Sequence, residues 1–392
     1  MFRVMFDIAP IALSVGARAV LFLVLSWYVY AGADPAAAVD FFQDLFFQSV
    51  LITFLSASSF FAVVSKGWDS SKDALLVLTH VLLAVVAVGV ILIAYRFVDL
   101  GIRPDILFLL LGGAVATGLA SPLTGLIVRK HGAWMAYGPS IIAAPACLCL
   151  LFLREVDPVM VAILAIVAFQ VVVFAALASI ARSVFQGILS AIRTMWAVES
   201  QQTLLGTFAF GLLNTALVGY FYWFRELWVL SQPAAISAAV LFVFRIFDTL
   251  IGIVVTDLGA RIHAVALVER HARRLATGVV GISAVAAMLL LALESLTLAP
   301  FTLAVSGQIL LECVRFPVLV FFLYQGARRS SGGYTVYNVG TVCISFAVLQ
   351  VFPLQTHVTG FYLFLTVTTV ISALLTCAFA ILYPSARKES TG

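Results

Sequence analysis

Several charged residues lie inside long apolar runs, and their types and spacing could bind a charged substrate. Arg245 and Asp248 are three residues apart within LFVFRIFDTLIG, so both would project from one face of a helix. Glu312 and Arg315 repeat that spacing in reverse order, and Gln308 adds a polar group one helical turn before the acid. A charged side chain at the centre of a bilayer costs roughly 2.5–3.5 kcal/mol, so such residues are expected to face a bundle interior or a water-filled cavity.

Arg18 is a third arginine within an apolar run, and no acidic residue lies within one helical turn of it. With Arg18 included, the predicted interior holds three arginines and two central acids. A polar cavity with surplus arginine suits an anion, because guanidinium groups bind phosphate and carboxylate oxygens through paired hydrogen bonds. Two alternatives stay open. Arg18 could extend to the cytoplasmic surface, and the acid–arginine pairs could be structural ion pairs that lock the bundle.

The composition of the chain indicates that a bilayer surrounds these charges. The 392 residues are 63% hydrophobic and 10% charged, and the mean hydropathy is +1.14. A water-soluble protein of this length needs far more charge on its surface, whereas lipid accepts apolar surface. The chain is therefore predicted to be an all-α polytopic membrane protein, with membrane lipids as its surroundings and no nucleic acid as a partner.

Apolar segments of about 20 residues, the length that spans a bilayer, predict twelve transmembrane helices. Their limits are 10–31, 41–64, 74–95, 105–127, 138–153, 159–180, 202–223, 234–256, 277–293, 299–323, 334–352 and 359–383. Fifteen lysines and arginines fall in one set of alternating connections and four in the other. Because basic loops stay in the cytoplasm, both termini are predicted to be cytoplasmic.

The longest connection carries apolar residues at helical spacing and divides the helices into two sets of six. It predicts an amphipathic helix on the inner membrane face, although a simple extension of the neighbouring helices stays open. The predicted domains are an N-terminal six-helix lobe (1–180), a cytoplasmic amphipathic linker (181–201) and a C-terminal six-helix lobe (202–392). A short echo between WYVYAGADPAA at 27–37 and WVLSQPAA at 228–235 supports a duplicated bundle.

The sequence lacks the motifs of the enzyme and porter classes that a membrane protein could belong to. It has no Ser/His/Asp or Cys/His arrangement, no phosphate-binding glycine loop and no loop of clustered acids for a metal–nucleotide. The loop SKGWDSSKDA at 65–74 does not fit the G-x-x-x-D-[RK]-x-G-[RK] pattern of major facilitators. The five cysteines all fall in apolar stretches and are expected to be small buried residues. We therefore expect no enzyme activity, no cofactor and no metal site.

Three features of the chain resemble the multidrug/oligosaccharidyl-lipid/polysaccharide (MOP) exporter superfamily. The first is GARAVLFLVLSWYVYAGADPAAAVDFFQDLFFQ at 16–48, a helix, a short outer loop and a second helix with few charges. The second is its counterpart FRELWVLSQPAAISAAVLFVFRIFDTLIGIVV at 224–255, which ends in an arginine-bearing helix 8. The third is the six-plus-six layout over the whole chain. The resemblance implies a MATE-like fold of two six-helix lobes.

Arg18 and Arg245 match the arginines on helices 1 and 8 that line cationic cavities in the flippase branches of this superfamily. The drug-exporting branch usually has an acid in helix 1, where this chain has Arg18. The lipid II branch usually carries two further C-terminal helices, which this chain lacks. The resemblance therefore implies the polysaccharide (Wzx-like) branch. Its members take an undecaprenyl-pyrophosphate-linked oligosaccharide across the bacterial inner membrane by alternating access.

The residue roles follow from combining this resemblance with the buried charges. Arg18, Arg245 and Arg315 are predicted to bind the anionic lipid-linked oligosaccharide. Asp248, Glu312 and Gln308 are predicted to orient those arginines or to carry a coupling cation or proton. Two alternative functions stay open: a cation-coupled multidrug or small-metabolite exporter of the same fold, and a membrane scaffold whose central charges all pair with one another.

Overall fold

A computed structural model of the protein describes residues 2–56, 72–97, 102–153, 156–188, 192 and 233–249. By contacts the chain divides into two compact units, 1–249 and 250–392, and every described residue belongs to the first. The helices of this unit are α1 (Phe2–Gly32), α2 (Pro35–Ser56), α3 (Asp73–Phe97), α4 (Pro104–His131), α5 (Ala133–Leu148), α6 (Pro158–Ile180), α7 (Arg182–Gln186) and α8 (Ala234–Asp248). A 3₁₀ turn, Cys149–Phe152, follows α5.

Proline lies at or directly before the first residue of four of these helices. Pro35, Pro104 and Pro158 each occupy the first helical position, where a missing N–H costs nothing and the fixed φ suits the helix. Pro233 directly precedes α8, and its carbonyl accepts the Ser237 N–H at 3.0 Å. The start of α6 is also capped, because the Asp157 carboxylate accepts the Val159 N–H at 3.3 Å.

A single residue separates α4 from α5. Gly132 has φ 87°, a left-handed conformation that favours glycine, and its N–H bonds the carbonyls of Ile127 and Val128. The apolar pattern does not reveal how short this break is. The fifth helix therefore begins at Ala133 rather than at the predicted residue 138, and it contains both Pro139 and Pro145.

The second helix also begins earlier than predicted, at Pro35 rather than at residue 41. The residues before 41 are small, so they add little to an apolar signal, but alanine is a strong helix former and Pro35 is placed to initiate the helix. The predicted end of this helix, at 64, lies outside the described residues. The other four of the first six spans agree with the prediction to within a few residues, apart from an extension of α1 back to Phe2.

Six helices in the described part of the chain are long and apolar enough to cross a membrane. Their outward faces are apolar, as α3 illustrates with an exposed stripe at helical spacing formed by Val86, Val90 and Ile93. The protein is thus a multi-pass membrane protein. The seventh predicted helix and the last four lie outside the described residues, and the eighth is described to Thr249.

Helix α4 lies at the centre of this bundle. It packs against α2, α3, α5 and α6, while α1 packs mainly against α5. Leu107, Leu110, Leu123, Leu126 and Ile127 of α4 are almost fully buried. Two glycines allow close approach, since a Cβ on Gly118 would collide with Leu55 of α2 and one on Gly113 would collide with two buried amides described below.

Candidate functional site

Arg18 lies on the side of α1 that packs against the rest of the bundle. It is spaced seven residues from Ile11 and from Leu25, and both of these are fully buried. The opposite side of α1 carries the exposed residues Val20 and Trp27. Arg18 itself is partly buried, and its Nε atom has no access to solvent. The side chain therefore leaves α1 on the side that packs against the bundle.

Arg245 likewise lies on the packed side of its helix, α8. It follows Ala238, Leu241 and Phe242 at helical spacing, and the first two of these are buried. Like Arg18 it is partly buried, with Nε shielded from solvent. Helix α8 packs against α2 and α1, so this arginine belongs to the packed side of its helix. Asp248 is the last residue of the helix, and its side chain lies outside the described residues.

An aromatic cluster joins α8 to the two helices it packs against. The ring of Phe242 stacks on Tyr30 of α1 with a centroid separation of 4.5 Å, and it lies 6.4 Å from Phe42 of α2. Phe41 and Phe42 meet edge to face at 5.4 Å. Arg245 follows Phe242 by one helical turn, so the cluster lies directly beside that arginine along α8.

The two arginines lie at different levels of the bundle. Tyr30 and Phe242 share one level because their rings stack, and Arg18 is twelve residues from Tyr30 whereas Arg245 is three from Phe242. At 1.5 Å per residue, the two positions differ by at least about 13 Å along the α1 axis. The two helix positions are therefore well separated along the bundle. The remaining predicted site residues, Gln308, Glu312 and Arg315, lie outside the described residues.

Two buried amides bridge three helices near the centre of the bundle. Gln48 Nε2 on α2 donates to Gln170 Oε1 on α6 at 3.0 Å, and Gln170 Nε2 donates back to Gln48 Oε1 at 3.3 Å. Gln48 Nε2 also lies 3.3 Å from the Leu110 carbonyl of α4, next to Gly113. Gln170 thus joins α6 to α2 by hydrogen bonds, the role that polar side chains commonly have in transmembrane helices. Its partner Gln48 was not predicted, although a glutamine in an apolar helix was the available signal.

A second group of polar side chains lies where α3 begins and α4 ends. Asp73 is buried and forms a salt bridge of 2.7 Å with Lys130 at the end of α4. His80 is buried about two turns further along α3, and its Nδ1 lies 2.8 Å from the Leu76 carbonyl oxygen. The salt bridge joins α3 to α4, and the histidine contact lies within α3.

Within the described residues, no group of three or more His, Cys, Asp or Glu side chains is placed to hold a metal ion. Cys147 is buried, as predicted for the cysteines, but Cys149 is exposed. The prediction was wrong for Cys149, because it lies in the 3₁₀ turn where the helical pattern of burial ends.

Comparisons with known proteins identify the fold. A MOP superfamily transporter from Pyrococcus furiosus aligns over 97% of this chain and 94% of its own, with a TM-score of 0.65 and 13% identity. A multidrug resistance MATE family transporter of the same superfamily, in an outward-facing conformation, aligns over the same shares with a TM-score of 0.63 and 14% identity. A eukaryotic MATE transporter covers 97% of this chain and 95% of its own, with a TM-score of 0.60 and 14% identity.

No family model matches the chain, and a search of curated proteins finds no match. The structural likeness nevertheless covers almost the whole chain, so the chain has the fold of MOP superfamily transporters. Sequence identities this low show the fold alone, and one fold carries several functions. The resemblance read from the sequence is thus confirmed for the fold of the superfamily.

Proposed function

We propose that the protein is a membrane transporter that works by alternating access and carries an anionic, lipid-linked oligosaccharide between leaflets. The observation that supports this proposal best is the placement of Arg18 and Arg245. Each lies in an apolar helix, on the packed side of that helix, with its Nε shielded from solvent. An arginine held within a membrane bundle is expected to serve a substrate or ion pathway.

The spacing of the two arginines suits a long substrate better than a compact one. Their levels differ by at least about 13 Å along α1, given 1.5 Å per residue. A pyrophosphate and an acidic sugar on one oligosaccharide offer two separated groups of anionic oxygens, and arginine binds such groups through paired hydrogen bonds. Arg315 is proposed as a third anion-binding residue, with Asp248, Glu312 and Gln308 orienting the arginines or carrying a coupling ion.

A second candidate function is supported by the structural comparisons. One of the similar structures is a multidrug resistance MATE family transporter. A cation-coupled exporter of drugs or small metabolites would use the same fold, and the aromatic cluster of Tyr30, Phe42 and Phe242 offers the apolar ring faces that such substrates bind. The choice between the two functions therefore depends on the charge and size of the substrate.

The test is an Arg245→Ala variant compared with wild type at equal membrane level. We expect export of the surface glycan to be lost and the lipid-linked precursor to accumulate on the inner leaflet, because the variant lacks an anion-binding guanidinium. Arg182→Ala is the matched control, since Arg182 is an exposed arginine at the start of α7. Normal glycan export by Arg245→Ala would contradict the flippase proposal. Loss of drug resistance with normal glycan export would favour the second function.

A further inference from the structure

The junction between α4 and α5 exposes two basic side chains beside two apolar ones, and none of the roles assigned above uses it. Arg129 and His131, in the last turn of α4, are both exposed. Trp134 and Met135 follow in the first turn of α5, with 40% and 49% of their surfaces exposed. Only Gly132 separates the two helices, so the chain from His131 to Trp134 spans at most about 11 Å. Basic and apolar side chains are thus brought together at one end of the bundle.

The positive charge of this junction is not neutralised by neighbouring acids. Within the described residues, Arg129 and His131 form no ion pair, and the sequence from 106 to 154 contains no acidic residue at all. Lys130, between the two, is already bound to Asp73 of α3 at 2.7 Å. This salt bridge joins the end of α4 to α3 and leaves the two flanking basic groups available to an anionic partner.

An exposed apolar stripe runs from this junction along α5. Met135 and Ile142 are seven residues apart, which places them on one side of the helix, and Ile142 is 73% exposed. The buried side of the same helix carries Ala136 and Tyr137. The span formed by α5 and its 3₁₀ turn is also the least enclosed of the six, with 28% of its apolar stretch buried against 44% or more for the others. The basic groups are therefore continuous with a surface that faces lipid.

We propose that this junction binds an anionic phospholipid, with the phosphate at Arg129 and His131 and an acyl chain along the stripe of Met135 and Ile142. A guanidinium group binds phosphate oxygens through paired, charge-assisted hydrogen bonds, and an imidazole N–H supplies a further donor. Tryptophan favours the level of the lipid headgroups, so the exposed Trp134 fits that level. The predicted orientation places the junction on the cytoplasmic side, where the leaflet carries anionic lipids. The proposal does not depend on which substrate is transported.

A lipid fits this surface better than a soluble anion or a second copy of the chain. A soluble anion would use the two basic groups and leave the apolar stripe unused. A symmetric dimer through this surface would bring the same basic patch of both copies together, and like charges oppose that contact. A phospholipid offers an anionic group joined to an apolar chain, which matches both parts of the surface.

Lipid binding by the purified full-length protein, followed by native mass spectrometry, tests the basic groups. We expect wild type to bind phosphatidylglycerol more tightly than phosphatidylcholine, and Arg129→Gln to weaken binding of phosphatidylglycerol about fivefold, the contribution typical of one basic residue at a lipid surface. The matched control is Arg96→Gln, since Arg96 is an exposed arginine in the last turn of α3, at the opposite end of the bundle. It should bind both lipids as wild type does.

Three outcomes of this experiment would overturn the proposal. Equal binding of the two lipids by wild type, or unchanged binding by Arg129→Gln, would show that the junction does not select an anionic lipid. An equal loss in Arg96→Gln would show a general effect of net charge. A dimer that forms in place of lipid binding, and that Arg129→Gln alters, would show that a second copy covers this surface.

Fluorescence quenching by brominated lipids tests where the lipid binds. Phosphatidylglycerol brominated on its acyl chains should quench the tryptophan fluorescence of wild type more strongly than brominated phosphatidylcholine. This excess should be lost in Trp134→Phe and kept in Trp27→Phe, which removes an exposed tryptophan of α1. An excess of glycerol 3-phosphate should leave the quenching unchanged, because the acyl chain contributes to binding. Retention of the excess by Trp134→Phe, or displacement of the lipid by glycerol 3-phosphate, would overturn the proposal.

Discussion

Single polar residues in apolar helices were the part of the site that the sequence could reveal. Arg18 and Arg245 stand out because no loop contains them, and helical spacing alone places each with apolar neighbours that the structure buries. The partnership of Gln48 with Gln170 could not be predicted, since the two are 122 positions apart and meet only through packing of α2 against α6.

Gly113 should tolerate no side chain, whereas its neighbour Gly112 should tolerate alanine. A Cβ on Gly113 would collide with Oε1 of Gln170 and Nε2 of Gln48, while nothing lies within 4 Å of a Cβ on Gly112. We expect Gly113→Ala to lower the free energy of unfolding in detergent by roughly 1–3 kcal/mol, because overpacking strains a filled core. Gly112→Ala should be neutral or slightly stabilising, since alanine favours helix. Equal unfolding midpoints for the two variants would contradict the packing described for α4.

At the scale of helices, the sequence predicted which segments span the membrane better than where they begin. Apolar length decides the first question, and α3, α4 and α6 agree closely with their predicted limits. The residue at which a helix begins depends on local backbone chemistry, which hydropathy does not measure. Proline initiates α2 well before its apolar stretch, and a single left-handed glycine, Gly132, is enough to separate α4 from α5.

The amide pair should behave as a unit that ties α2 to α6. We expect Gln48→Leu to destabilise the protein by roughly 1–2 kcal/mol, because it leaves the Gln170 amide without its partner in an apolar surrounding. The double variant Gln48→Leu/Gln170→Leu should cost less than the two single changes together, since no amide then remains buried and unbonded. A double-mutant cycle on unfolding free energies measures this coupling. Strictly additive values would contradict a direct bond between the two side chains.

At the scale of the whole molecule, the fold is that of MOP superfamily transporters, and the packing of α8 bears most directly on the proposed transport. This helix groups with the N-terminal helices and contacts α1 and α2 through the aromatic cluster. The lobe boundary predicted at 181–201 assigns this helix to the C-terminal lobe, and it stays a prediction. If the lobes part during transport, the ring contacts of Phe242 with Tyr30 and Phe42 must break.

Cross-linking across that contact should therefore stop transport. We expect a short bifunctional thiol reagent to inhibit a Tyr30→Cys/Phe242→Cys variant, in a background without native cysteines, because α8 can then no longer leave α1. The control is Gly32→Cys/Pro158→Cys, which joins α1 to α6 where a Cβ on Gly32 would lie 3.8 Å from Pro158 Cγ. Transport by each variant before and after the reagent is the measurement. Full activity of the cross-linked Tyr30/Phe242 variant would show that this contact persists throughout the cycle.

Helix α1 has one buried side and one exposed apolar side, and this limits how the helix can move in the proposed transport cycle. Turning α1 by half a revolution about its own axis would bring Arg18 to the lipid and bury Val20 and Trp27. Placing an arginine in hydrocarbon costs roughly 2.5–3.5 kcal/mol or more, and the aromatic stacking of Tyr30 would be lost as well. Tilting or sliding preserves both surroundings. In the proposed transport cycle we therefore expect α1 to tilt or slide rather than to rotate about its own axis, so that the same side of the helix faces the lipid in every state.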